Sequence, residues 1–581
     1  MKLKNKLELT WVGKNKNDEI EPRILIYDKT KSYGEKNSGN ILIHGDNLLA
    51  LKSLEKDYAG KIKCIYIDPP YNTGSAFEHY DDNLEHSIWL NLMYKRLMIL
   101  KRLLSDDGII FIQIDDNEMA YLKVVCDEVF GRNNYLNTIS VKTKNIAGAS
   151  GGGEDKRLKK NVEYIISYTN DYSKFKWLRN AYSQTEIYDL VQKYKQEGIS
   201  WKYTSVLYNP GKEEYICSTV DGDGNEIKIF NRIGYEFKSI NQISKEEGIS
   251  EKDVYYKYMK YIHTTAMPQS SIRPRVMEKL SDIEHNDLIS IRYVPKTGKN
   301  KGIEYEQFYK GDKFRLLTWL GDVSEFKDGV WYKKDLQGTL WDGINLNNLT
   351  KEGNVVFPNG KKPEALLERI LMMTTNENDY VLDSFLGSGT TIAVAHKMNR
   401  KWIGIEMGEH INTHVIPRLK SIIDNTDTYG VYNKEKINYS NGFDYYELAP
   451  TLIEKDVFEQ EIINPKYNEE MLRKAVALHE GFDYEPSNEY YWKQSKGNEK
   501  SYLYVTTKFV GEATLDNIKS ELKDDEYLII ACTSYDENIE HKYKNIKIKK
   551  IPEMLLSQCE YGVDNYDLNV VEEEEVYEDE W

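Results

Sequence analysis

The 581-residue sequence has few cysteines and no long apolar run, and each shortage excludes a class of protein. The five cysteines are widely separated and form no Cys-x-x-Cys pair (Cys64, Cys126, Cys217, Cys532 and Cys559). This pattern excludes a disulfide framework and a cysteine-based zinc site, and it favours a reducing cytoplasm. No stretch reaches the roughly 18 apolar residues of a membrane helix, and the N-terminal residues lack an apolar signal core. We therefore expect a cytoplasmic protein with no membrane span and no metal site.

Surplus charge is absent from the first 450 residues. Residues 451–581 contain 31 acids and 15 bases, and they account for the whole formal net charge of −16. Residues 1–450 contain 63 residues of each sign. The acidity of the chain therefore does not argue against a polyanionic partner for this larger part.

Strands and helices alternate in two segments, 39–171 and 316–450, and this alternation predicts one Rossmann-like α/β sheet built from both. The predicted strands are 41–44, 63–67, 109–114, 135–142, 162–168, 380–382 and 402–405. The predicted helices are 46–55, 84–104, 116–130, 363–373 and 390–398.

The alternation lapses in residues 172–315, which predict a separate inserted domain. Its helical pieces are expected at 183–197 and 252–261, and its short strands at 226–231 and 290–294. Residues 451–581 predict a C-terminal α+β domain with strands near 501–508, 527–532 and 545–549. That domain ends in the acidic tail Glu572–Glu580, and residues 1–38 form a polar N-terminal extension.

A strand, a glycine turn and a helix start follow one another in Val381–Thr391. Such a turn lets a ligand approach the backbone closely. Glu406 ends the next strand, where a carboxylate can accept hydrogen bonds from ribose hydroxyls. A plain structural turn and a phosphate loop are the alternatives, and the phosphate loop is disfavoured because no lysine follows Gly389.

The sequence Asp68-Pro-Pro-Tyr71 follows a buried strand directly. Two prolines fix the backbone at the carboxyl edge, where open parallel sheets bind ligands. The Asp68 carboxylate and a nearby carbonyl can accept both N–H bonds of an exocyclic amino group, while Tyr71 stacks on the ring. The alternative is a proline-capped surface turn.

Together these motifs resemble the DNA amino-methyltransferases that use S-adenosylmethionine. The catalytic motif comes first and the cofactor motif about 310 residues later, which resembles the permuted beta group and the modification (Mod) subunits of type III restriction-modification systems. His44-Gly-Asp-Asn47 and Phe357–Leu367 also match the family's motifs. The resemblance implies a circularly permuted methyltransferase sheet, with 172–315 as the target-recognition domain.

The resemblance also implies a role for each matched residue. The flipped base would be held by Asp68, Pro69, Pro70 and Tyr71. S-adenosylmethionine would be bound by Asp46, Lys362, Pro363, Asp383, Phe385, Gly387, Gly389, Thr390, Thr391 and Glu406. The implied reaction is methyl transfer to adenine N6 in duplex DNA, because aspartate rather than serine precedes Pro-Pro-Tyr. The enzyme would act as a homodimer, with a restriction (Res) subunit or another defence partner.

Two basic segments are candidates for contact with DNA phosphates. The candidate residues are Lys142, Lys144, Lys156, Arg157, Lys159, Lys160, Lys296, Lys299 and Lys301. A solvated lysine-rich surface is the alternative. The acidic residues 451–581 are expected to dock a protein partner or a second protomer rather than DNA.

Three other functions stay open from the sequence. They are a cytosine-N4 DNA methyltransferase, a methyltransferase acting on RNA or protein, and a non-enzymatic DNA-recognition module for a partner nuclease. The intact Asp68 and Asp383–Gly389 motifs argue against the last of these.

Overall fold

The computed structural model groups the chain into two compact units, Met1–Arg179 with Gly338–Trp581, and Asn180–Gln337. The structure describes residues 8–14, 19–72, 86–143, 158, 160–176, 178, 182–268, 270–296, 301–327, 329–344, 349–357, 360–431, 442–498, 500–556, 559 and 561.

The first part of the larger unit contains most of the predicted catalytic half. Its strands are β1 (Leu25–Tyr27), β2 (Ile41–His44), β3 (Ile62–Ile67), β4 (Leu104–Ile114), β5 (Tyr135–Lys142) and β6 (Val162–Thr169). Its helices are α1 (Asn47–Tyr58), α2 (His86–Leu103) and α3 (Met119–Cys126). The five strands predicted here are all present, and α3 is shorter than predicted because the chain continues as a π-helix over Asp127–Gly131.

The smaller unit contains many more strands than its sequence predicted. They are β7 (Tyr182–Glu186), β8 (Ser205–Asn209), β9 (Lys212–Val220), β10 (Glu226–Ile233), β11 (Glu236–Ser239), β12 (Ile262–Ala266), β13 (Leu288–Tyr293), β14 (Tyr305–Lys310), β15 (Arg315–Trp319), β16 (Ser324–Lys327) and β17 (Val330–Leu336). The helices are α4 (Ile187–Gln196), α5 (Ile240–Glu247), α6 (Glu251–Tyr258) and α7 (Ile272–Leu280).

These strands form an eight-stranded antiparallel sheet in the order β11-β8-β12-β15-β14-β13-β10-β9 and a three-stranded sheet, β16-β17-β7. The helix predicted from residue 183 begins only at Ile187, because Tyr182–Glu186 pairs with β17. The same pairing carries the compact unit to Gln337, beyond the predicted range of 172–315.

The second part of the larger unit completes the main sheet. Its strands are β18 (Leu340–Trp341), β19 (Tyr380–Asp383), β20 (Lys401–Glu406) and β21 (Asp444–Leu448). Its helices are α8 (Glu364–Thr374), α9 (Thr390–Lys397) and α10 (Ile416–Ile423), and a π-helix over Ile411–Val415 precedes α10. The predicted strands and helices of this part are present, with ends that differ by one or two residues.

The main sheet interleaves strands from both parts of the chain. Its ten strands have the order β1-β21-β2-β20-β19-β3-β4-β6-β5-β18. Strands β2, β20, β19, β3 and β4 are parallel, and β6 runs antiparallel beside β4. Ile43, Ile65 and Leu382 bury their side chains completely in one core that spans these strands. The predicted Rossmann-like α/β fold is confirmed, and its circular permutation stays a prediction.

The C-terminal residues form an α+β region within the larger unit. Its strands are β22 (Ile453–Lys455), β23 (Glu461–Ile463), β24 (Asp483–Tyr484), β25 (Ser495–Lys496), β26 (Ser501–Thr506), β27 (Tyr527–Cys532) and β28 (Ile546–Lys550). Its helices are α11 (Glu469–His479), α12 (Glu512–Glu521) and α13 (Glu553–Leu556). The predicted acidic tail, Glu572–Glu580, lies outside the described residues. Among the described helices, none is both long and apolar enough to cross a membrane.

Candidate active site

The turn after β3 places Asp68 and Tyr71 at the carboxyl edge of the main sheet. Proline lacks an N–H, so Pro69 and Pro70 end the strand here. The indole N–H of Trp89 donates a 2.7 Å hydrogen bond to the Pro70 carbonyl and anchors the turn to α2. The Tyr71 hydroxyl donates to Asp68 Oδ1 at 2.6 Å. The predicted catalytic motif is therefore an ordered turn.

Two further charged side chains complete the surroundings of Asp68. Lys362 Nζ lies 3.1 Å from Asp68 Oδ2 and 3.3 Å from Glu163 Oε2. It also donates to the Tyr71 hydroxyl at 3.0 Å, and that hydroxyl lies 3.0 Å from Glu163 Oε2. Four side chains from three distant stretches of sequence thus share one charged cluster, which we call the Asp68 cluster (Asp68, Tyr71, Glu163 and Lys362).

The Asp68 cluster shifts the acidity of its members. Burial raises the pKa of the Asp68 carboxyl, the Lys362 ammonium counteracts this rise, and the Glu163 carboxylate adds to it. Burial acts to raise the pKa of Glu163 too, but the Lys362 ammonium and hydrogen bonds outweigh it and lower that pKa. Burial opposes the charge of Lys362, yet the two carboxylates raise its pKa. The cluster therefore places the Lys362 ammonium between two carboxyl groups whose pKa values are shifted in opposite directions.

The predicted cofactor turn follows β19, the strand next to β3. Asp383 Oδ1 accepts the backbone N–H of Phe385 at 3.0 Å, and Oδ2 accepts the Thr391 hydroxyl at 2.6 Å. Burial raises the pKa of Asp383 to about 7. Gly387 and Gly389 have φ of 53° and 76°, a region that disfavours residues with a Cβ. A Cβ on Gly389 would also lie 3.1 Å from Val415.

Glu406, at the end of β20, stabilises the cofactor turn by accepting hydrogen bonds from backbone N–H groups. Its Oε2 accepts the backbone N–H of Gly387 at 2.7 Å, and its Oε1 accepts those of Met407 and Gly408 at 2.9 Å each. Because β20, β19 and β3 are consecutive parallel strands, Glu406, Asp383 and Asp68 follow the same edge of the sheet. The structure thus brings the two predicted motifs together at neighbouring strand ends.

Asp46 has structural partners in addition to its predicted cofactor role. Its Oδ1 caps α1 by accepting the N–H of Leu49 at 3.0 Å, and its Oδ2 lies 3.2 Å from Arg96 Nη2. The neighbouring Asn47 donates its side-chain amide to the Ser384 carbonyl at 2.6 Å and so ties α1 to the cofactor turn. Arg96 and Asn47 were not singled out from the sequence, because neither belongs to a local motif with a spacing rule.

A buried ion network supports the start of α8 beside the cofactor turn. Glu364 pairs with Arg418 at 2.7 Å and with Lys397 at 2.8 Å, and all three side chains are at most 2% exposed. Arg418 also donates to Thr390 Oγ1 at 2.9 Å. The Thr390 hydroxyl in turn donates to the Lys362 carbonyl at 3.2 Å. The network therefore fixes Lys362 and Pro363, which precedes α8, against the turn that contains Thr390.

The predicted DNA-binding residues are only partly within the described chain. Lys160 forms ion pairs with Asp115 and Asp116, and Lys296 pairs with Asp223 at 3.1 Å. Lys142 is half-buried and Lys301 is exposed. Lys144, Lys156, Arg157, Lys159 and Lys299 lie outside the described residues. Contact with DNA stays a prediction for all nine. In the described part of the chain, no group of three His, Cys, Asp or Glu side chains is placed to hold a metal ion.

Comparison with known families decides the class of the protein. The N6_N4_Mtase family, described as DNA methylase, matches residues 62–416, which include the turns after β3, β19 and β20. The chain belongs to the DNA methylase family. The predicted relationship to the DNA amino-methyltransferases is therefore confirmed, and the family match spans the smaller unit as well as the sheet.

Three curated proteins illustrate where this DNA methylase stands within its family. The probable type III restriction-modification enzyme HindVI Mod subunit of Haemophilus influenzae is 44% identical over 71% of this chain and 54% of its own length. The EcoP15I Mod subunit of Escherichia coli is 26% identical over 81% of this chain and 75% of that protein. The type II methyltransferase M.KpnI of Klebsiella pneumoniae is 32% identical over 66% of this chain and 84% of that protein. The chain thus spans about half the length of the HindVI relative.

Proposed function

We propose that this DNA methylase transfers the methyl group of S-adenosylmethionine to the N6 amino group of an adenine flipped out of duplex DNA. One observation carries the proposal. The Asp68-Pro-Pro-Tyr71 turn and the Asp383–Thr391 turn follow adjacent parallel strands, β3 and β19, at one edge of the sheet. An amino-binding motif and a cofactor-binding motif at the ends of adjacent strands suit direct transfer of a methyl group between two bound molecules.

The residues around the cofactor turn fit S-adenosylmethionine. Gly387 and Gly389 leave the backbone bare where a side chain would be strained or would contact Val415. Glu406 supplies a carboxylate for the ribose hydroxyls, and Phe385, a residue of the turn, is buried in the core of the main sheet. When bound, the sulfonium of the cofactor supplies an electrophilic methyl group. Asp46, Lys362, Pro363, Thr390 and Thr391 are the remaining residues that would hold it.

The Asp68 cluster would orient the amino group of the flipped base. The nitrogen of an aromatic amine is a weak nucleophile because its lone pair is delocalised into the ring. Accepting its two N–H bonds with the Asp68 carboxylate and the Pro69 carbonyl favours a pyramidal nitrogen with its lone pair directed at the methyl group. Stacking on Tyr71 offsets part of the few kcal/mol that flipping costs.

Lys362 would have to leave Asp68 before the amino group could bind there. In the structure its ammonium lies 3.1 Å from the Asp68 carboxylate. Glu163 offers an alternative partner at 3.3 Å, so Lys362 could stay ion-paired as the base enters. This assigns Glu163 the role of a positioning residue in the proposed reaction.

The curated relatives support a wider proposal about assembly. Because the HindVI and EcoP15I proteins are Mod subunits of type III restriction-modification enzymes, we assign this chain the corresponding role, with a Res partner and a homodimeric Mod core. Residues 451–581 are the proposed docking region, since they contain every surplus acid. All five cysteines are free, in keeping with a cytoplasmic location beside chromosomal DNA.

The test combines duplex DNA with labelled S-adenosylmethionine, followed by digestion to nucleosides. We expect label in N6-methyladenine, and we expect Asp68→Ala to lower the rate at least about 100-fold while cofactor binding is retained. The control variant is Asp106→Ala, which removes an exposed aspartate that pairs with Lys174 outside the site. Label in cytosine, RNA or protein would contradict the adenine assignment. DNA binding without any transfer would contradict an enzymatic role.

A further inference from the structure

Helices α5 and α6 of the smaller unit are separated by only three residues, Gly248, Ile249 and Ser250. Gly248 ends α5 in the left-handed conformation, with φ 67° and ψ 27°, and its N–H donates to the Ser244 carbonyl. Ser250 then begins α6 with a capping box in which Ser250 and Asp253 satisfy each other's backbone N–H groups. Both helix ends are thus defined by their own residues, and the turn between them is tightly specified.

A shared apolar core fixes this pair of helices against the rest of the unit. Ile240 and Ile243 of α5 belong to the same buried cluster as Val254 and Tyr255 of α6, and none of the four is more than 5% exposed. Ile187 and Val191 of α4 complete the cluster. Three helices around one core, with a three-residue glycine-containing turn between the last two, form a helix-turn-helix.

The strand after α6 attaches the motif to the antiparallel sheet. β12 begins three residues after α6, and its Ile262 and His263 pair with Val206 and Ser205 of β8. The buried sides of α5 and α6 therefore face the core, and their outer sides are left to solvent. The polar character of those outer sides decides what the motif can bind.

The outer side of α6 carries lysines and a tyrosine. Lys252 and Lys257 are exposed, Tyr256 is half-buried, and exposed Lys260 lies two residues beyond the end of the helix. At about 100° per residue the three positions within the helix fall within an arc of about 140°. The first turn of α5 exposes Asn241 and contains no acid, which suits an approaching phosphate.

Nearby acids do not prevent these lysines from exchanging partners. Lys252 lies 3.0 Å from Glu186, and Lys257 lies 2.8 Å from Glu247. Both lysines are exposed and their carboxylate partners are half-buried, so a DNA phosphate or a base acceptor can replace the carboxylate. Asp253, the one acid on the outer side of α6 past its first residue, is held in the capping box.

We propose that α6 is a recognition helix that enters the major groove of duplex DNA, with the first turn of α5 against the phosphate backbone. This proposal rests on the proposed function, because the recognition helix would supply the surface by which the methylase finds its target. In this arrangement Lys252 contacts base edges near the helix start, while Lys257 and Lys260 contact phosphates.

The experiment measures how full-length protein binds its target duplex at several salt concentrations. The target is first identified by methylation-sensitive sequencing of DNA from cells that express the wild-type chain. For Lys252→Ala/Lys257→Ala we expect at least a tenfold loss of affinity. We also expect the slope of log affinity against log salt to become shallower by about two, one for each lost contact. Cofactor affinity and Tm should match those of the wild type.

The matched control is Lys228→Ala/Lys279→Ala, which removes two exposed lysines of the same unit outside the motif. It should bind DNA with the wild-type affinity and salt slope. If wild type methylates duplex DNA but the two double variants bind it equally well, the recognition helix is wrong and the proposed function stands. If wild type neither binds nor methylates duplex DNA, both proposals are wrong.

Discussion

Asp68 and Asp383 end neighbouring strands of one sheet, but they are held in different ways. The Asp68 side chain is 20% exposed, and its partners are the ends of the Tyr71 and Lys362 side chains. Asp383 is 2% exposed, and its carboxylate accepts hydrogen bonds from the backbone N–H of Phe385 and the hydroxyl of Thr391. The Asp68 carboxylate therefore makes exchangeable side-chain contacts, whereas the Asp383 carboxylate makes buried contacts within its own turn.

The difference fits the two ligands that these turns are proposed to bind. A base that enters from duplex DNA needs polar groups that can release their present partners. A cofactor turn gains from a backbone shaped before the ligand arrives, because less ordering is then required on binding. We therefore expect substitutions around the turn after β19 to lower the free energy of unfolding. Substitutions around the turn after β3 should alter the reaction while the fold is retained.

The largest effect should come from the buried network behind the cofactor turn. Glu364→Ala would leave Arg418 buried without its carboxylate partner, while Lys397 keeps Asp427, at a cost of about 3–5 kcal/mol in the free energy of unfolding. Chemical denaturation measures this. Glu470→Ala, which removes an exposed partner of Lys474, should be barely measurable. Equal losses would show that the buried network contributes no more to stability than an exposed ion pair.

A smaller loss is expected from the cofactor turn itself. Gly389→Ala should cost about 1–3 kcal/mol and weaken cofactor binding, because φ is 76° and the new Cβ would lie 3.1 Å from Val415. Gly60→Ala is the control, since Gly60 has φ of 69° with no atom within 4 Å of the added Cβ. It should show the backbone strain alone. An equal reduction of cofactor affinity in both variants would argue against a preformed cofactor turn at Gly389.

The pH dependence of the reaction rate should change when a charged neighbour of Asp68 is removed. The Glu163 carboxylate raises the pKa of Asp68, so Glu163→Gln should lower that pKa and strengthen the pair between Asp68 and Lys362. Asp68 must be ionised to accept an amino N–H, and the acidic limb of the rate profile should therefore move to lower pH. Glu128→Gln, which removes a carboxylate paired with Lys14 away from the site, should leave the profile unchanged. A profile that does not move in Glu163→Gln would separate Glu163 from the chemistry.

A further prediction concerns how stability varies with pH at Asp383. Burial raises its pKa from an ordinary 3.8 to about 7, so the folded state binds a proton more tightly than the unfolded state does. The resulting stabilisation is present below 3.8 and is lost as the pH rises through about 7. Asp383→Asn cannot titrate. The Tm of wild type minus that of the variant should therefore fall over this window, and parallel curves would contradict the raised pKa.

The sequence predicted the parts of this molecule that depend on local pattern. Strand β3, its two prolines and the glycine turn after β19 are each encoded within about ten consecutive residues, where periodicity and turn chemistry act directly. Their meeting at one edge followed from the rule that parallel strands end together. The start of α4 was predicted too early, because the pairing of Tyr182–Glu186 with β17 depends on residues about 150 positions away.

The side chains that complete the site could not be predicted in this way. Glu163 meets Tyr71 across 92 residues and Lys362 across 199, and Arg418 meets Glu364 across 54. No spacing rule connects such pairs, since only the assembled sheet brings them together. The helix-turn-helix was missed for a different reason. Its first helix is eight residues long, and its apolar positions are too few for a clear helical period.

The interleaved strand order has a consequence for how the protein is made. Strands β2 and β3 are synthesised early, yet β20 and β19, which separate them in the sheet, lie more than 300 residues further along the chain. At roughly 5–20 residues per second, a ribosome needs about 15–60 s to go from Asp68 to Asp383. Throughout that interval β2 and β3 lack their partner strands β20 and β19, and the proposed cofactor turn has not been synthesised. Interrupted synthesis therefore yields a fragment without the Asp383–Thr391 turn, and the proposed function requires that the complete central sheet has assembled.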